Sequence, residues 1–309
     1  MNVAFLNRVV VLLAFVSVTA VCSSDVARSK PIRDTVATQL TEHGRDVRAA
    51  IWIGDAAGRA WFEHEAPAVM PTASAIKTFY LVEFFDAYAG QLDRPLPDAA
   101  SFLKEDHPAV SHFSPAHRDE IRSELSSASI RRIGDVMMGK TDVSNIVYNA
   151  AANLVTAALG GPEQLTARIH RRDPRFESIV VRRYMLRDRT QPGDNEGTAD
   201  AFAALYQSLV TRKLSGINDA LMTTLHDVLN RGEKSGLGRL FEKDGGLSTD
   251  PLTSVKAGWA DDGKGPVVFV VMCRQPTAEA GKRPADYEAL QKLAVNLRNE
   301  AVGARRAAH

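Results

Sequence analysis

The chain has 309 residues, with 38 Lys and Arg against 37 Asp and Glu, and its formal charge of +1 offers neither a basic field for nucleic acid nor an acidic solvating tail. At 45% hydrophobic residues it can bury a large core, and its two cysteines exclude a disulfide framework and a multi-cysteine metal site.

Asn7 and Arg8 make a polar, positive start, followed by an apolar run over 9–21 with Val18 and Ala20 near its end. This is the pattern of a signal peptide, residues 1–22, and implies export to the periplasm or the medium. The run is too short to span a bilayer, and no later stretch reaches the roughly 20 apolar residues of a membrane helix, so no integral span is expected. Lipid attachment at Cys22 would want a smaller residue than Val21 before it. The remainder, 30–309, is read as one domain.

Residues 31–43 have helical spacing, with Ile32, Val36 and Leu40 on one face. Residues 48–54 and 60–64, joined by DAAG, read as a hairpin. From Ser74 to Gly90 the pattern is helical and strongly apolar (Ile76, Phe79, Tyr80, Val82, Phe84, Phe85), as in a helix buried on most sides. A polar stretch over 93–115 leads into helices that break near 139–144 and close at Gly160, Gly161 and Pro162. After one more helix to about Arg171, residues 172–197 are charged and without period, and so long a loop in a compact domain is usually functional. Helices follow over 198–214 and 218–229. Three β-like runs come next, 239–247, 252–259 and 266–273, and then an amphipathic helix over 286–302. Cys273, ending an apolar run, reads as a small buried strand residue. The fold class expected is α+β: one antiparallel sheet formed from both chain ends (30–73 and 215–309), flanked by helices, with an all-helical half (74–214) inserted.

The chemistry begins in MPTASAIKTFYLVEFF. Ser74 and Lys77, three apart at a helix start, share a face, so the amine can reach the hydroxyl, and the helix N-terminus favours developing negative charge. Burial and neighbouring positive charge would lower the lysine's pKa and let it accept the proton.

Two strands, a loop and SxxK opening an apolar helix resemble the class A β-lactamase family of serine hydrolases. NAAANLVTAALGGPEQLTA, QPGDNEGTADAFAALYQSL, GLGRLFEKDGG, LTSVKAGW and PVVFVVMCRQP continue the resemblance in the same order to the end of the chain. The resemblance implies that Ser74 is acylated, that Lys77 is its base, and that the amides of Ser74 and Gly246 form an oxyanion hole. Two lysines compete for the family's KTG element. Lys243, with Asp244 and Gly245, leaves two strands after it, whereas Lys256 falls on the middle strand; strand counting selects Lys243 as a substrate-binding cation. For the SDN element three registers compete, placing Thr141, Ser144 or Val147 at its serine. A hydroxyl is needed to pass a proton to the leaving nitrogen, which selects Ser144, with Asn145 and Asn149 as substrate-binding amides.

Two departures stand against this pattern. Alignment of PGD puts Tyr184 where the family carries the glutamate that activates the deacylating water, leaving Asp188 as the loop acid placed to take over deacylation. Asp244 replaces the KTG hydroxyl, and would repel a substrate carboxylate unless it points away or is neutralised by Lys243. The resemblance therefore implies a monomeric, cofactor-free hydrolase forming an acyl-enzyme with a small-molecule β-lactam or a peptidoglycan-derived amide, with slow deacylation. The alternatives are a DD-peptidase or esterase, and a catalytically lapsed binder of peptidoglycan fragments or antibiotic. No metal centre is expected: His107, His112 and His117 read as surface loop histidines.

Overall fold

A computed structural model describes residues 30, 33–34, 36–38, 47–190, 192–276 and 286–306. The signal segment over 1–22 lies outside the described residues, as does much of the helix expected over 31–43.

β1 (Arg48–Asp55) and β2 (Ala60–His64) form the expected hairpin. β1 then pairs with β8 (Val267–Gln275), and the antiparallel sheet continues through β7 (Leu252–Asp261) and β6 (Gly238–Leu247) to β5 (Asn230–Lys234), in the order β2-β1-β8-β7-β6-β5. Both chain ends thus complete one sheet, as the α+β reading expects. β5 was not legible in sequence, because NRGEK on an exposed edge has no apolar alternation.

The sheet is covered on both faces. Ala50 and Trp52 pack toward the helical half, while Ala49, Ile51 and Ile53 pack with Leu290, Leu293 and Leu297 of the last helix, Tyr287–Arg306. The helices in chain order are α1 (Lys77–Ala87), α2 (Ala99–Phe102), α3 (Pro115–Leu125), α4 (Ile130–Met137), α5 (Asn145–Ala158), α6 (Pro162–Arg172), α7 (Ala199–Val210), α8 (Asp219–Leu229) and α9 (Tyr287–Arg306). Ser114, Ser129, Ser144, Thr198 and Asn218 begin five of them, each side chain accepting from the backbone N–H three residues on.

α1 is the central helix, buried from Lys77 through Phe85. Phe79 meets Phe176 and Phe202 edge-on, with ring centroids 5.2 and 5.1 Å away. Its buried Glu83 is matched by Arg172 at the end of α6, which also donates to Asp86 at 2.6 Å. A small second sheet pairs β3 (Met70–Pro71) with β4 (Glu196–Gly197), which ties the approach to Ser74 to the end of the long loop.

Candidate active site

Ser74 stands in a 3₁₀ turn, Ala73–Ile76, that runs directly into α1. Ala73 has φ of +47°, a conformation costly for a residue with a Cβ, and it persists because its surroundings fix it. On one side, the Thr72 amide and hydroxyl both donate to Asn195 O, at 2.9 and 3.0 Å. On the other side, β6 presses against the turn at Gly245. A Cβ there would lie 2.8 Å from Ser74 N and 2.7 Å from Ala75 N, so only glycine permits the approach.

Lys77, one helical turn after Ser74, is fully buried. Its Nζ donates to Asn149 Oδ1 at 3.0 Å, and lies 3.3 Å from the centre of the Tyr148 ring. The Asn149 amide is oriented by its own donation to Asn145 O and Oδ1, both at 2.9 Å. Burial first, and then the charge of Lys243, push the Lys77 ammonium well below the usual lysine range, with Asp244 pulling the other way. A buried amine whose proton affinity is lowered, three residues after a serine at a helix start, is the arrangement a base for Ser74 needs.

β6 alternates across the sheet. Phe241, Lys243 and Gly245 face the helical half, and Lys243 Nζ lies 5.4 Å from the same Tyr148 ring. Leu240, Glu242 and Gly246 face α9, where Glu242 pairs with Arg298 and Gly246 meets Tyr287. Asp244 belongs to this second set. It pairs across the strands with Lys256, accepting from its Nζ at 3.2 Å, and accepts from Lys243 Nζ at 3.3 Å. Burial alone would raise its pKa, but the two lysines outweigh it and hold the carboxyl well below the usual range. The expected repulsion of a substrate carboxylate is therefore relieved, and Lys256 stands on the face away from Ser74.

A cavity of about 430 Å³ opens at Ser74, with Asn145, Asn149 and Gly246 on its wall and the loop residues Met185 to Arg189 over it. Asn153, one turn after Asn149, clamps this loop: its Oδ1 accepts from Met185 N at 2.5 Å and its Nδ2 donates to Met185 O at 3.1 Å. With its proton on Nε2, His112 donates to the same carbonyl at 3.0 Å. Across the cavity, Arg189 donates to Thr249 Oγ1 at 3.0 Å and to Asp250 O. The cavity wall carries Arg183, Arg187 and Arg189 against Asp188 and Asp194, and Asp194 is shared by Arg183 and Arg189.

The structure thus brings Ser74, Asn145, Asn149, Gly246 and Asp188 to one cavity, with Lys77 and Lys243 buried behind it. It does not bring Ser144 there. Ser144 is exposed, caps α5 by accepting from Val147 N at 3.2 Å, and does not line the cavity. Of the three registers, the one counted back from the Gly-Gly-Pro turn has its asparagine, Asn149, in contact with Lys77, and it carries buried Val147 at the serine position. Tyr184 does not line the cavity either: it is buried with its hydroxyl toward Gly161, and its neighbour Met185 lines the cavity instead. Asp188 does line it, but its carboxylate accepts from Thr190 N and Oγ1, at 2.9 and 2.8 Å, and these bonds hold its pKa below the usual range. His112 is half-buried against Phe113 and supports the loop, so reading it as a surface histidine was wrong. Sequence reasoning missed Tyr148, for which spacing gives no signal, and the Asn153 clamp, which the repeat of Asn149 and Asn153 at i, i+4 could have shown. Among the described residues, no group of three His, Cys, Asp or Glu side chains is placed to hold a metal ion, and no helix is long and apolar enough to cross a membrane.

A family model described as the beta-lactamase enzyme family matches residues 31–301. Among solved structures, the fold is similar to an ancestral (GNCA) class A beta-lactamase, with a TM-score of 0.65 at 20% identity over 88% of this chain and 99% of that one. It is also similar to the class A beta-lactamase of the last common ancestor of Gram-negative bacteria (GNCA4), with a TM-score of 0.63 at 19% identity over 91% of this chain and 99% of the other. At such identity the likeness is one of fold. No curated protein matches the sequence.

Proposed function

The chain belongs to the beta-lactamase enzyme family, and from that premise we propose that it is an exported serine hydrolase that forms an acyl-enzyme on Ser74 with β-lactams or related cell-wall amides and releases it slowly. The observation that carries the reading is the buried Lys77 beside Ser74, its Nζ held by Asn149 and its pKa depressed.

In the first half-reaction neutral Lys77 takes the Ser74 Oγ proton as Oγ bonds to the carbonyl carbon. The amides of Ser74 and Gly246 receive the oxyanion. The carbon–nitrogen bond then breaks, and the nitrogen takes the proton back from the Lys77 ammonium, because Val147 offers no hydroxyl and Ser144 stands outside the cavity. Lys243 supplies positive charge behind the site, and Asn145 and Asn149 offer amides to the substrate. The excess of arginine over acid on the wall suits a substrate that carries a carboxylate.

The second half-reaction needs a water and a base. Met185 provides none, and Asp188 is a weakened base because Thr190 holds its carboxylate. Positioned general bases contribute roughly 10²–10⁴ in rate, so the acyl-enzyme should accumulate. The same lack keeps a second reading, in which a cell-wall peptide is the substrate and β-lactams act as inhibitors.

Intact-mass spectrometry of the protein mixed with a penicillin, beside a time course with a chromogenic cephalosporin, tests the proposal. A long-lived adduct on Ser74 with little turnover is expected. Neither adduct nor hydrolysis with any β-lactam would overturn it, and rapid complete turnover would overturn the slow release.

A further inference from the structure

Tyr148 holds a position that the serine-hydrolase reading leaves unused. It follows Val147 in the first turn of α5, and both site lysines rest against its ring, Lys77 Nζ at 3.3 Å from the centroid and Lys243 Nζ at 5.4 Å. Gly139 flanks the ring, where a Cβ would lie 3.7 Å from it. The face of an aromatic ring carries partial negative charge and attracts an ammonium group, most strongly where water is excluded.

Lys77 needs such a contact. It is fully buried, and its one hydrogen-bond acceptor among the described residues is Asn149 Oδ1. The charged groups reaching it come from β6: Lys243 repels its ammonium, and Asp244 is itself occupied by Lys243 and Lys256. α5 offers only the neutral Asn149 amide and the Tyr148 ring. An uncompensated buried ammonium beside a second cation would simply lose its proton. It could then take the serine proton but would hold it too weakly as an ammonium before handing it on.

We propose that Tyr148 is a positioning residue whose ring face, and not its hydroxyl, sets the proton affinity of Lys77. The inference rests on Lys77 serving as the base for Ser74. The ring favours the protonated amine, so its removal lowers the Lys77 pKa.

The test measures Lys77 directly. In full-length protein carrying ¹³C-labelled lysine, the Lys77 signal is assigned by its loss in Lys77→Met and titrated by NMR. Tyr148→Leu should lower the Lys77 pKa by about one unit, Tyr148→Phe should keep it within about 0.3 unit of wild type, and Tyr148→Trp should keep or raise it. If the leucine variant does not fold, as judged by circular dichroism, the phenylalanine and tryptophan variants decide. A Phe variant that drops by a full unit assigns the effect to the hydroxyl and overturns the proposal, as does a Leu variant that titrates like wild type. The acid limb of the penicillin acylation rate should move with the NMR value, to lower pH in Tyr148→Leu. If no variant and no wild-type protein is acylated at any pH, the serine-hydrolase reading fails while the titration still judges the ring.

Discussion

Alanine at Gly245 would set a methyl carbon 2.7 Å from Ala75 N, 2.8 Å from Ser74 N and 2.9 Å from Thr72 O. Non-bonded contacts of this kind relax only at about 3.5 Å, so strand and turn must part by at least about half an ångström. Neither partner yields easily. β6 is paired with β5 and β7, and the turn is pinned by Thr72 on Asn195 and by the β3–β4 ladder. Forced overpacking costs about 1–3 kcal/mol, which for a chain of this size lowers Tm by several degrees. The larger effect falls on rate, because the displaced atoms include the Ser74 amide, and a shift of this order at a reacting centre costs roughly 10²-fold. Stopped-flow acylation by a fluorescent penicillin, with thermal melting alongside, measures both. Gly303→Ala in α9, where a Cβ meets nothing within 4 Å, is the control, and should hold or slightly gain stability. If Gly245→Ala acylates within about threefold of wild type and melts within about a degree, the strand does not press on the nucleophile turn and the argument fails.

Ser74→Ala should abolish covalent labelling while the melting curve is kept; labelling of a folded variant would remove Ser74 from the chemistry. Lys243→Ala should slow acylation by roughly 10²-fold, and Lys256→Ala much less, since one lies behind the cavity and the other on the far face of the sheet; equal rates would contradict that assignment. Asp188→Asn should change the adduct lifetime by less than about threefold, as followed by intact mass, because Thr190 already occupies the carboxylate; a much longer lifetime would make Asp188 the deacylation base. Arg172→Ala removes both close bonds to buried Glu83 and the pair with Asp86, leaving Glu83 only Arg168 at 3.8 Å, and should cost about 3 kcal/mol in urea unfolding; a loss under about 1 kcal/mol would show that Arg168 takes over Glu83.

What could be read from sequence followed from periodicity. The closing strands read as three β-like runs in order, so they could be counted, and the count separated Lys243 from Lys256, which in the structure lie on opposite faces. Ser74 and Lys77 could be singled out because a helix fixes what i and i+3 share, and the structure buries Lys77 one turn after Ser74. Ser144 stood out because an N-cap serine and a proton carrier look alike in sequence, both being hydroxyls at a helix start; the structure shows the cap and leaves Ser144 off the cavity wall. The neighbourhood of Lys77, which points to Val147, Tyr148 and Asn149, is a tertiary fact that no local pattern encodes. In the long loop there is no period at all, so alignment of PGD put Tyr184 at the glutamate position, whereas in the structure it is Met185, held by Asn153, that lines the cavity. The absence of a carboxylate was nevertheless legible, since neither register puts one there.

The two halves of the reaction meet different degrees of preparation. In the proposed reaction the groups assigned to acylation are buried, hydrogen-bonded or wedged: the turn by Gly245 and Asn195, the proposed base by Asn149 and Tyr148, the rear cation by Asp244. The loop that should supply the second base is held just as firmly, with Met185 bound through both its N–H and its carbonyl, and Arg189 fastened across to Thr249. A loop clamped at that residue does not swing a more distant acid into place at small cost, because three hydrogen bonds would break to do so. The slow release proposed above would then come from the rigid state rather than from a missing movement. Loosening the clamp, as in Asn153→Ala, should cost stability without speeding turnover.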